Sequence, residues 1–141
     1  MCLSLNENSV RLKKNLRRRK KPIIAYKIVE PTLESQYTYF QWPESGEVKS
    51  NRSDTKLTTY EKSNGIVDKG FHFFVLQPEK CKDCSSLKDN FCDQRHNQCA
   101  QIYPTNRILK CEIQPKDIVT VGDWGKYNSL VATKCKVLEV L

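Results

Sequence analysis

No run of apolar residues in this 141-residue chain approaches the roughly 20 needed to cross a bilayer. The apolar stretch of a secretory signal is missing as well, because Met1-Cys2-Leu3-Ser4-Leu5 gives way at once to polar and then basic residues. An intracellular, cytoplasmic location is the expectation. There is no G-x-S-x-G, no P-loop and no G-x-G-x-x-G, so the usual signatures of serine hydrolases, nucleoside triphosphatases and dinucleotide-binding enzymes are absent. Long helical periodicity and internal repeats are absent too. Histidine is scarce, with two residues, and the seven cysteines are odd in number, which rules out complete pairing within one chain.

Acid is absent from one notable place. Arg11, Lys13, Lys14, Arg17, Arg18, Arg19, Lys20 and Lys21 follow one another with no carboxylate between them. The net charge is +8, and from Pro22 onward the charges nearly balance. Residues 1–21 therefore read as a basic N-terminal arm in front of a single domain over residues 22–141. Such an arm suits the phosphates of a nucleic acid, with an affinity that falls as salt rises. It also suits an acidic protein surface or an anionic membrane face, or it is solvated with no partner at all. Val10, Leu12 and Leu16 offer a weak apolar face, but the charge density opposes a helix standing alone.

The rest of the chain is strand-like. Ile23–Val29 is rich in β-branched residues and bounded by prolines. Residues 37–42 alternate and end at Pro43. Val48 to Gly65 is polar and reads as loops around a short extended piece near residues 57–60. Ile66-Val67 is a brief strand, and Gly70–Leu76 is the most strand-like run of all. Residues 107–113 and 118–121 follow as strands, Gly122-Asp123-Trp124-Gly125 as a loop, and residues 130–141 as one or two closing strands. The fold class expected is α+β, strand-rich and mostly antiparallel, with one short helix. Its best position is Ser85 to Cys99, with Leu87 and Phe91 inward.

That helix falls within a Cys/His-rich insertion at residues 81–99. Cys81, Cys84, Cys92 and Cys99 are spaced C-x2-C-x7-C-x6-C, and His96 lies between the last two. The Cys81–Cys84 spacing is that of a zinc knuckle, in which a tight turn brings two thiolates to one ion. Cys92 and His96, or His96 and Cys99, share one face of a helix and complete a tetrahedral set. A structural zinc is the cofactor implied. Two disulfides and free thiols are the other readings of the same residues.

For catalysis the sequence offers Cys2 and His72. Removal of Met1 would place a thiol and an α-amine on one residue, with His72 as a partner base. The plainer readings are that Cys2 is a small apolar residue and that His72, between Phe71 and Phe73, is a hydrogen-bonded core residue. Alternation puts His72 and Phe74 on one face of their strand and Phe71, Phe73 and Val75 on the other.

Two resemblances are carried by short motifs. Met1-Cys2-Leu3, the strand IIAYKIV, GFHFF and RILKCEI…GDWGKYNSLVATKCKVLEV resemble a group of small uncharacterised bacterial and phage proteins that begin MCL and hold a G-F-H-x-F strand. Residues 81–99 depart from that pattern as an insertion. The resemblance implies a phage or bacterial source, hence host cytoplasm if phage-encoded, and brings no function with it. The order YKIV, GFHFF, VLEV is similar to the ADP-ribosyltransferase layout. It implies a degenerate NAD site at Tyr26 or Lys27, His72 and Glu139, without the arginine or histidine usual on the first strand. The leading expectation is a small intracellular binding protein with a basic arm and a zinc knuckle. The alternatives are an enzyme using Cys2 and His72 or an NAD site, and an inhibitor that binds a host protein.

Overall fold

A computed structural model of the chain describes residues 3–35, 40–80, 101–102, 106–124 and 127–141. Its body is strand-rich α+β, built on one antiparallel sheet of nine strands. The strands are β1 (Leu3–Ser4), β2 (Ile23–Val29), β3 (Gly46–Lys49), β4 (Ile66–Val67), β5 (Phe71–Phe74), β8 (Arg107–Ile113), β9 (Ile118–Trp124), β10 (Tyr127–Ala132) and β11 (Lys134–Val140). They lie in the order β3-β11-β8-β2-β5-β10-β9-β1-β4. A separate parallel ladder joins β6 (Glu79–Lys80) to β7 (Gln101–Ile102). The five expected zinc ligands fall between those two short strands and lie outside the described residues, as does the helix expected over residues 85–99.

The register of the central pair shows how the two-residue period is used. Along β2 and β8, Ile23 faces Ile113, Ala25 faces Cys111 and Lys27 faces Leu109. These residues point to one side and Ile24, Tyr26 and Ile28 to the other. The first side carries the main core, where Ile23, Ala25, Leu109, Cys111 and Ile113 meet Phe71, Phe73, Leu130 and Trp42. Trp42 is fully enclosed, and its indole N–H donates to Ser35 Oγ at 2.6 Å, so its one polar atom is satisfied. The other side holds two smaller clusters, Leu3 with Val67, Val119 and Val131, and Ile28 with Phe74 and Ile108. Cys111 and Cys135 are free, buried thiols that serve the main core as small apolar groups.

Several expectations need correction. Residues 3–17 are packed on the body and do not stand apart from it as an arm. Leu3 is buried and pairs with Val67, Ser4 pairs with Ile66 and Asp123, and the segment after them forms α1 (Ser9–Arg17). This helix packs along β9, with Leu16 against the main core. Charge repulsion acts against an isolated helix, but tertiary burial outweighs it here. Lys14 and Arg17 in its last turn also suit the negative end of the helix dipole.

The second correction concerns the extended piece expected near residues 57–60, which gives way to a helix from Thr59 onward, with the capping Thr58 extended. Thr58 caps α2 (Thr59–Asn64) in a capping box: Thr58 Oγ1 accepts from the Glu61 N–H, and Glu61 Oε1 accepts from the Thr58 N–H. Gly65, at φ 68°, closes the helix in the left-handed conformation that favours glycine. Among the described residues there are two α-helices, α1 and α2, neither of which the sequence led one to expect. The third correction is the loop expected at residues 122–125. Gly122, Asp123 and Trp124 continue β9, and residue 125 lies outside the described residues. Gly122 is not a turn residue. It lets β1 approach, because a Cβ there would overlap the Ser4 carbonyl oxygen and the Leu3 side chain. Gly46 and Glu47 begin the edge strand β3. Among the described residues no helix is long and apolar enough to cross a membrane.

Candidate nucleic-acid interface

The eight basic residues between Arg11 and Lys21 do not all line one surface. Lys13, Lys14, Arg17 and Arg18 line a groove of about 740 Å³, and Lys56 and Lys62 line it from across the gap. Its apolar floor includes Leu5, Val10 and Leu57, and Thr120 of β9 lies beneath. No carboxylate is among the described residues that line it. Arg11, Arg19, Lys20 and Lys21 are exposed and lie outside the groove. Arg11 instead donates to Asn8 Oδ1 at 3.2 Å.

Two hydrogen bonds set the distance between the walls. Lys13 Nζ donates to the Thr55 carbonyl oxygen at 3.0 Å, and an Arg17 guanidinium N–H donates to Thr55 Oγ1 at 2.9 Å. Lys13 is half-buried, and its pKa is lowered, first by burial and then by repulsion from Arg17, Arg52 and Lys62, with Asp54 opposing. Like charges held this close make a local positive field that a bound anion would relieve.

The second wall is held by a buried ion pair that the sequence analysis passed over. Arg52 uses all five of its guanidinium N–H groups. Two donate to Glu61 Oε1 and Oε2, each at 2.7 Å. Nε donates to the Asp54 carbonyl at 2.8 Å, and the remaining two donate to the carbonyls of Lys56 at 3.0 Å and Lys69 at 3.2 Å. The loop carrying Thr55, Lys56 and Leu57 is thereby fastened to α2 and to the approach to β5. Glu61 is held down to about 2, chiefly by the Arg52 hydrogen bonds, with burial opposing and the Thr58 N–H assisting. The sequence held one signal for this arrangement. Thr58-Thr59-Tyr60-Glu61 is a T-x-x-E capping pattern, which places a helix and turns Glu61 inward. Nothing in the linear sequence ties Lys56 and Lys62 to the cations of α1.

Of the two expected catalytic residues, only His72 falls within the described residues. Cys2 lies outside the described residues. His72 is buried on β5, and its Nε2 donates to the Asp68 carbonyl at 2.7 Å. Burial, the largest influence, pushes its pKa down to about 4, so the ring stays neutral near pH 7. Lys27 stands on the opposite side of the sheet, half-buried, with its ammonium 5.9 Å from the centre of the Trp42 ring; burial pushes it down to about 8. Glu139 on β11 meets Lys110 at 3.9 Å and is separated from β5 by β8 and β2. Tyr26, Lys27, His72 and Glu139 thus share no single site. Among the described residues no three His, Cys, Asp or Glu side chains converge as a metal site would require.

No family model, curated protein or solved structure matches the chain. The strongest concentration of chemistry among the described residues remains the cationic groove. It is an electrostatic surface with an apolar floor, and it contains no nucleophile–base pair.

Proposed function

We propose that the protein binds nucleic acid through the groove between α1 and the segment from Lys56 to Lys62. One observation carries this reading: six cations from two separate stretches of chain line one groove, and no acid is among its described lining residues. A surface evolved only for solubility would intersperse charges of both signs. Phosphates spaced along a strand would neutralise the opposed rows and release their condensed counterions. The clip between Arg17 and Thr55 holds the rows in place before any ligand arrives.

The test is a salt titration. The affinity for a fluorescein-labelled 20-nucleotide oligomer, read by anisotropy, is expected to drop steeply between about 50 and 200 mM salt. With four to six phosphates engaged, a log–log slope of roughly −3 to −5 is expected. A slope near zero, or no binding at the lowest salt, sinks the proposal.

The same proposal includes a structural zinc, supported by the spacing of Cys81, Cys84, Cys92, His96 and Cys99. Native mass spectrometry under reducing conditions is expected to show one zinc per chain, lost to a chelator together with part of the thermal stability. A metal-free chain of unchanged stability would remove the zinc from the account and leave the groove untouched.

A further inference from the structure

A second hollow, of about 640 Å³, lies next to the groove, and Lys56 lines both. Its chemistry is different. Arg52, Lys56 and Lys69 are balanced there by Asp54, Glu61 and Asp68, and Arg52 and Glu61 are already paired with each other. A phosphate gains little in a place of balanced charge. A flat, uncharged group with polar edges is better suited.

The hollow also presents an aromatic face. Tyr60, in the first turn of α2, is 74% exposed, the most exposed tyrosine or phenylalanine among the described side chains. Its ring stacks on no other ring among the described residues. Ile66, 45% exposed, lines the same hollow, and Thr58 and Asn64 add polar groups. An open ring beside a row of cations is the combination by which proteins hold single strands: cations track the backbone and aromatic rings accept bases.

We infer that the hollow takes an unpaired nucleobase stacked on Tyr60, so that the groove's partner is single-stranded. This rests on the reading that the groove holds phosphates. The backbone would run between α1 and Lys62, and at Lys56 one base would turn out of the cationic row into the neutral hollow. A duplex offers the same phosphates but keeps its bases paired and stacked inside, where Tyr60 cannot reach them. Stacking tolerates any base, so little sequence preference is expected.

The test uses the full chain and three titrations at one low salt concentration: a thymidine 20-mer, a duplex of equal length, and sodium tripolyphosphate as a competitor without bases. The wild-type protein is expected to bind the single strand more tightly than the duplex. Tyr60→Ala is expected to weaken single-strand binding by roughly tenfold and leave duplex binding and tripolyphosphate competition unchanged. Tyr60→Phe, which keeps the ring, is expected to match the wild type. Because Tyr60 is exposed, circular dichroism should show both variants folded. Equal affinity for strand and duplex, or a Tyr60→Ala protein that binds the single strand as the wild type does, overturns the inference while leaving the groove standing. Failure of both nucleic acids to bind overturns the groove reading as well.

Discussion

Replacing Arg52 by alanine is expected to destabilise the protein by about 3 kcal/mol or more. The guanidinium is buried and makes five hydrogen bonds, two to a carboxylate and three to backbone carbonyls. Removing it leaves Glu61 buried without its partner and three carbonyls short of a donor. The penalty is that of an orphaned charge, which exceeds the net worth of an intact pair. Lysine is a poor substitute, since its ammonium lacks the planar fork that bridges both carboxylate oxygens. The double variant Arg52→Ala with Glu61→Ala should be less destabilised than the sum of the two single changes, because no charge is then stranded. Urea unfolding followed by tryptophan fluorescence measures all three. An Arg52→Ala protein within about 0.5 kcal/mol of the wild type would place it among ordinary surface changes and show that the pair does not organise the loop.

The same pair has an acid signature. The carboxyl of Glu61 titrates near 2 in the folded protein against an ordinary value of 4.5. Its contribution is therefore complete above about pH 4.5 and is lost as the pH falls through 2. His72 acts in a higher window. It titrates near 4 when folded and 6.5 ordinarily, so the unfolded chain takes up its proton first and stability declines from 6.5 towards 4. Glu61→Gln should abolish the lower phase of acid destabilisation and keep the upper one.

The second large effect concerns the groove. Changing Lys14, Arg18, Lys56 and Lys62 together to glutamine is expected to lower oligonucleotide affinity at low salt by about a hundredfold or more and to flatten the salt slope by roughly 3. These four line the groove, whereas Lys13 and Arg17 also hold Thr55 and would confound binding with structure. The control is Arg19, Lys20 and Lys21 changed to glutamine, which removes nearly as much charge from outside the groove. Its effect should be several-fold smaller. If the control weakens binding as much per charge as the groove set does, only total charge matters and the groove has no special part.

Much of the sheet was legible because its strands obey a local rule. Ile23–Val29, Arg107–Ile113 and the alternation after Lys134 show a two-residue period with β-branched residues, and each forms a strand. Failures came where a residue serves a distant partner. Gly122 has the local look of a turn, yet it is glycine because β1, more than a hundred residues earlier in the chain, passes over it. Residues 57–60 read as a short extended piece, although the T-x-x-E capping pattern from Thr58 to Glu61 was present and decides the helix.

The sequence by itself determined that the protein is strand-rich, that its positive charge is concentrated near the start, and that Phe71 and Phe73 face away from His72. All three follow from composition or from a period of two, which neighbours in the chain can express. Only the tertiary structure decided that the first part of the basic segment is a helix seated on β9, that four of the segment's eight cations line one groove with Lys56 and Lys62, and that Arg52 holds the opposing wall. Those facts depend on side chains from separate segments meeting across space, as Lys13 and Arg17 meet Thr55 some forty residues on. A charge in a sequence shows its sign, and only the fold sets its direction and its neighbours.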